Sequence, residues 1–131
     1  MNVKTARLLD SQAVLAYYQD EAAAEKVTRI LNAGSPLHLS LINWGEVLYT
    51  IGRTGGSDAM QRAAAHLDAL PITIEPVDRD LILQAARLKA RGGLSYADAV
   101  CAATAMRLGA TIVTGDSEFK TVEDVVKIEW L

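Results

Sequence analysis

Apolar positions along the chain keep two rhythms, short unbroken runs and longer stretches recurring every three to four residues, and the two alternate from end to end. Leu8-Leu9 reads as the end of a short buried strand, and Ser11 to about Tyr18 as the helix after it. A second helix is predicted from Asp20 or Glu21 to Asn32, with Ala22, Val27, Ile30 and Leu31 as its apolar side and Ala33-Gly34-Ser35-Pro36 as its stop. Leu37-His38-Leu39 is the second strand. Ser40 then caps a helix whose stripe is Leu41, Trp44, Val47, Leu48 and Ile51, ended by the turn-forming Gly52-Arg53-Thr54-Gly55-Gly56. Another helix spans Ser57 to Leu70, where Pro71 intervenes, and Ile72-Thr73-Ile74 alternates as strand three. Asp78 caps a helix through Leu81, Ala85, Leu88 and Lys89 to Arg91, closed by Gly92-Gly93. The helix opening at Ser95 stops at Gly109, strand four is Thr111-Ile112-Val113, and Val126-Lys127-Ile128 is the last strand.

Strands separated by one or two helices need crossover connections, which favour a mainly parallel sheet with helices on both faces. The expected class is α/β, in three layers, around four to five strands. The sequence shows no internal repeat, low-complexity tract or linker, and 131 residues suit one domain, here residues 1–131, that builds a core without disulfides or structural zinc.

Composition sharpens this. Half of the residues (50%) are hydrophobic, 22% are charged, and mean hydropathy is +0.14, which excludes a disordered chain. The single cysteine, Cys101, lies in an apolar helix and reads as a buried small hydrophobe in a reducing compartment. The opening Met1-Asn2-Val3-Lys4-Thr5-Ala6-Arg7 runs into a short apolar stretch that is neither a signal peptide nor a membrane span, so a cytoplasmic protein is expected. A net charge of -3 and a pI of 5.3 argue against a generally basic nucleic-acid coat. They are compatible with a nuclease, because an acidic site lowers the total by itself and bound cations offset it where a phosphate approaches.

The acidic residues carry the chemistry. Asp10 closes strand one and Asp116 follows strand four, both where a parallel sheet gathers functional residues. Each alone could be an ordinary turn or helix-capping aspartate. Asp98 stands in the first turn of Ser95-Tyr96-Ala97-Asp98, at capping-box spacing, yet it shares a face with Cys101, Ala102 and Ala105, small residues suited to close packing. Carboxylates held together near a core call for a cation. Glu46 lies opposite the Trp44, Leu48 and Ile51 stripe and reads from the wheel as a surface residue. Glu118 and Asp124 read as solvent-facing, with Glu118 close enough to Asp116 to reach a second metal. His38, in a strand, and His66, in an alanine-rich helix, read as structural or exposed.

Through these residues the chain resembles, over essentially its whole length, the PIN domain family, particularly the VapC-type ribonuclease toxins of toxin–antitoxin pairs. Leu8-Leu9-Asp10-Ser11 is similar to the family's opening Leu-Asp-Thr/Ser segment, and Ser40 to Tyr49 to the helix bearing its acidic residue, here Glu46. Leu94-Ser95-Tyr96-Ala97-Asp98-Ala99 resembles its Asp-Ala segment, and Thr114-Gly115-Asp116-Ser117-Glu118-Phe119 its Thr-x-Asp-x-x-Phe signature. Gln12 departs from the small or polar residue expected there. The resemblance implies a PIN-like fold, with Asp10, Glu46, Asp98 and Asp116 as catalytic, metal-binding carboxylates and Ser11 and Thr114 in support.

It further implies Mg²⁺- or Mn²⁺-dependent hydrolysis of RNA, inhibition by a cognate small antitoxin, and a homodimer. Tyr17, Tyr18, Leu48, Tyr49 and Ile51 are available for such interfaces if they reach the surface, and Arg53, Arg79, Arg87 and Lys120 are candidates for phosphate contacts. A catalytically silent module that binds RNA or protein is the competing expectation. A phosphotransferase or receiver fares worse, since Asp10-Ser11-Gln12 lacks a second aspartate and no lysine follows a late strand as a receiver requires.

Overall fold

The computed structural model describes residues 5–19 and 21–131, so Met1–Lys4 and Asp20, one of the two predicted starts of the second helix, lie outside the described residues. Among the described residues five strands are interleaved with five helices: β1 (Arg7–Leu9), α1 (Ser11–Gln19), α2 (Glu21–Leu31), β2 (Leu37–Ser40), α3 (Leu41–Ala69), β3 (Thr73–Glu75), α4 (Arg79–Ala90), α5 (Tyr96–Leu108), β4 (Thr111–Thr114) and β5 (Ile128–Trp130). A 3₁₀ helix, Ser117–Val122, lies between β4 and β5 and has no counterpart in the hydrophobic pattern.

The sheet order is β3-β2-β1-β4-β5, and every pairing is parallel, as the crossover argument requires. Side chains alternate across this sheet. Leu8 and Ile112 face one core with Leu81, Ala85, Val100 and Phe119, while Leu9, Leu39 and Val113 face the other with Val14, Val47 and Leu67. Strands buried on both faces explain why they read as unbroken apolar runs. The central helix α5 buries every residue from Asp98 to Ala105, and its alanines let neighbouring elements approach closely. Gly109 ends α5 in the left-handed region (φ 63°), and Ala110 N–H donates back to the Ala105 carbonyl, which turns the chain directly into β4.

Three boundaries differ from the pattern-based reading. The helix opening at Leu41 runs on past Gly52 as far as Gly56 (φ 80°, ψ -177°), whose non-helical backbone, disfavoured by a side chain, kinks α3 into two helices, the second starting at Ser57 as the pattern reads. A Cβ at Gly52 would stand 2.5 Å from the Met60 terminal methyl, the flexible end of a side chain that can swing aside. The third strand begins one residue late because Ile72 N–H is still turning back to the Leu70 carbonyl. The last strand is Ile128–Trp130, because Val126 N–H remains bonded to the Val122 carbonyl and pairing with β4 starts only at the Lys127 carbonyl. Among the described residues no helix is long and apolar enough to cross a membrane.

Candidate active site

Strand order reverses at β1, which lies between β2 and β4, so the crossovers leave it in opposite directions and open a crevice beyond the carboxyl ends of these strands. Asp10 leaves β1 directly into this crevice and Asp116 follows two residues after β4. Glu46 comes from the second turn of α3, which starts where β2 ends, and Asp98 from the first turn of α5. Four elements thus deliver four carboxylates to one edge of the sheet.

Asp10 is 1% exposed, and both of its oxygens are bonded. Its Oδ1 accepts the Ala13 N–H at 2.7 Å, a capping bond that starts α1, and its Oδ2 accepts the Thr114 hydroxyl. Thr114 Oγ1 in turn accepts the Asp116 N–H at 2.9 Å, so one buried hydroxyl ties the exit of β1 to the exit of β4. Asp116 Oδ1 accepts the Glu118 N–H at 3.0 Å and opens the 3₁₀ helix. Ser95 Oγ accepts the Asp98 N–H at 3.1 Å and caps α5. The ordinary capping roles are therefore real, and they coexist with the clustering. Ser11 is half-buried at the start of α1, next to Asp10.

Asp98, Asp116 and Glu118 each offer an oxygen within 4.8 Å of the others, a spacing that one metal ion can bridge. Asp10 and Glu46 are not part of that triplet; the Asp10 charge is felt at Asp98, and the Glu46 charge at Asp10. Burial pushes Asp98 up to about 7, helped by the Asp116 charge, a hydrogen bond with Asp116, and Asp10, against a smaller lowering by Ser95. Burial likewise raises Asp10 to about 6, with Thr114 and Ala13 opposing and Asp116 and Glu46 adding to it. Among the described residues, none of the ion pairs involves Asp10, Glu46, Asp98 or Asp116. An acidic group of hard oxygen donors, short of positive charge, fits a divalent cation.

Two residues that sequence reasoning passed over belong to this site. Asn43, fully buried, donates its Nδ2 to Glu46 Oε1 at 2.8 Å. Gln12, read as a departure from the family pattern, reaches across the crevice, where its Oε1 accepts the Gly115 N–H at 2.7 Å and fixes the segment leading to Asp116. The helical wheel could have flagged Asn43, a polar residue four positions before the buried Val47. Glu118 is exposed, as read, yet takes part in the triplet.

The histidines stand apart from the carboxylates, His38 against Glu75 and His66 against the Tyr18 hydroxyl. Arg79, Arg87 and Lys120 are exposed, while Arg53 lies 4.8 Å over the Tyr49 ring. Of the residues considered for interfaces, Tyr18 and Tyr49 are exposed and Leu48 is buried.

Fold and site together define a three-layer α/β protein with an acidic cleft at the point where strand order reverses. The chain belongs to the PIN domain family, whose profile matches residues 7–125. No match was found among curated protein sequences. Solved structures with this fold include VapBC-1 from nontypeable Haemophilus influenzae, 20% identical over 95% of this chain and 97% of that chain, with a TM-score of 0.74. VapC20 from Mycobacterium tuberculosis, described as a sarcin-ricin loop cleaving toxin, is 24% identical over 88% of this chain and 94% of that one, with a TM-score of 0.72. FitAcB from Neisseria gonorrhoeae is 19% identical over 93% and 95% of the two chains, also at 0.72. At these identities the likeness is one of fold.

Proposed function

We propose that this chain is a Mg²⁺- or Mn²⁺-dependent endoribonuclease, a single PIN domain from residue 1 to 131, acting in the cytoplasm as the toxin of a toxin–antitoxin pair, inhibited by a cognate small antitoxin and working as a homodimer. The observation that carries the catalytic part is the convergence of Asp10, Glu46, Asp98 and Asp116 from four elements, with no cation paired to any of them among the described residues. The toxin part draws support from the family match and from the likeness to chains of VapBC complexes and to a toxin described as cleaving the sarcin-ricin loop.

The geometry supports the following roles. Asp98 and Asp116 would hold the metal, with Glu118 as a further oxygen within reach. When bound, the ion would supply Lewis acidity toward the phosphate and a water of lowered pKa. Asp10, whose oxygens are tied to Ala13 and Thr114, would set the charge of the site and hold β1 and β4 in register around it. Thr114 positions both Asp10 and the Asp116 backbone. Glu46, held by Asn43 and partly open to solvent, would bind metal directly or through water, or orient the attacking water.

Cleavage of a mixed cellular RNA pool by antitoxin-free protein in Mn²⁺, Mg²⁺ or EDTA, beside Asp98→Asn purified identically, tests this reading. Discrete products that require the metal and vanish in the variant support it. Metal binding without any product would shift the assignment to a silent RNA- or protein-binding module.

A further inference from the structure

The structure assigns to Asn43 a job that the acidic residues cannot do for themselves: it is the positioning residue that fixes the Glu46 carboxylate over the crevice. The inference rests on the proposed metal-dependent nuclease and adds a positioning residue to its machinery. Asn43 is the third residue of α3, after the Ser40 cap, where a polar side chain usually folds back to the cap residue's own N–H. Here the side chain turns away from that local role. Its Nδ2 donates to Glu46 Oε1 at 2.8 Å, one turn along the helix.

Three observations argue that this bond is more than packing. First, Asn43 is 0% exposed, and its Oδ1 is buried with no hydrogen-bond partner among the described residues. An apolar residue of similar volume would avoid that orphaned acceptor, so stability alone does not explain an asparagine here. Second, the amide can take only one orientation, because the flipped group would set Oδ1 against a carboxylate oxygen. Third, the neighbours of Glu46 at the site are negative: the Glu46 charge is felt at Asp10, where Asp116 also acts. A flexible glutamate among like charges is driven toward solvent, and a neutral N–H donor is the means to hold it inward without adding a cation that would compete with a metal. Main-chain geometry supports the arrangement, since Ser40 Oγ accepts the Ile42 N–H at 3.2 Å and fixes the first turn from which Asn43 projects.

The test is a double-mutant cycle on the full chain, with Asn43→Leu, Glu46→Ala and the pair, read by calorimetric Mn²⁺ binding without RNA and by cleavage kinetics on an RNA substrate found with the wild type. Asn43→Leu is expected to weaken Mn²⁺ binding about tenfold and lower kcat by a similar factor, with KM for RNA unchanged. Its thermal midpoint in EDTA should equal or exceed the wild type's, because the orphaned Oδ1 is gone. In the Glu46→Ala background the same substitution should change nothing further. Should Asn43→Leu fail to fold, Asn43→Ala gives the same cycle. Wild-type Mn²⁺ affinity and kcat in the Asn43 variant, or losses that add to those of Glu46→Ala, would overturn the assignment while leaving the nuclease reading intact. A wild type that neither binds Mn²⁺ nor cleaves RNA would remove both.

Discussion

Replacing Asp98 by asparagine should make the metal-free protein more stable, the reverse of what deleting a buried, bonded side chain usually does. Asp98 is 8% exposed, and its burial, followed by the Asp116 and Asp10 carboxylates it faces, lifts its pKa from an ordinary 3.8 to about 7. A difference of that size corresponds to roughly 4 kcal/mol in favour of the protonated group, of which about 2–4 kcal/mol would be recovered by a neutral isostere once sharing with Asp116 is allowed for. The sign follows from proton counting. Between about pH 4 and pH 7 the folded chain holds a proton on Asp98 that the unfolded chain has released, so wild-type stability falls as pH rises through that window and is flat in this respect above it. Asp10, raised to about 6, adds a second decline that ends earlier.

Urea unfolding in EDTA from pH 4.5 to 8.5 measures this directly. At pH 8, Asp98→Asn should stand about 2–4 kcal/mol above wild type, about 10 °C in melting temperature for a chain of this size. At pH 4.5 the gap should shrink to about 1 kcal/mol or less. Mn²⁺ should then reverse the advantage: at a hundred times its dissociation constant a ligand stabilises the wild type by about 2.7 kcal/mol, and the variant, which on the proposed assignment lacks a ligand oxygen, should gain far less. Parallel pH curves, or a variant less stable than wild type at pH 8 in EDTA, would refute the claim that charge is held in this cleft at the expense of stability.

Thr114→Val keeps the shape but removes the donor to Asp10 Oδ2 and the acceptor of the Asp116 N–H; a loss of about 2 kcal/mol in denaturant unfolding is expected, restored by Thr114→Ser. Gln12→Ala releases the Gly115 N–H and should slow RNA cleavage several-fold with little change in melting temperature, since Gln12 is exposed; an unchanged rate would mean that the Gly115 segment holds its own shape. Two glycines of α3 should respond oppositely to alanine. Gly45, with open space where a Cβ would go, should gain about 0.5–1 kcal/mol, whereas Gly56 at φ 80° should lose at least that much, as chemical denaturation will report.

What could be read from the sequence was whatever is written locally. Leu8-Leu9 and Thr111-Ile112-Val113 announce strands because both sheet faces are covered, and Asp10 and Asp116 announce themselves by ending them. Asp98 was legible from the small residues around it, which the structure buries without exception from Ala99 to Ala105. Glu46 was not, nor was the role of Asn43, whose spacing to Val47 marks burial but not a partner, and the reason is topological. The wheel rightly put Glu46 away from the buried face of α3, but it also put Leu41 on that face, where the structure exposes Leu41 and buries Asn43.

A wheel knows two environments, core and solvent, whereas α3 has a third. It starts at the end of β2, which lies beside β1, so the side of its first turns that looks away from the core looks across the crevice at Asp10. No local periodicity encodes that neighbour; it comes from strand order, which the sequence pattern leaves open. The resemblance to a family singled out Glu46 through its place in the Ser40 to Tyr49 segment. It did not single out Asn43, whose role is visible only once the carboxylate and the amide are seen to share a hydrogen bond on a helix whose outer side is a cleft.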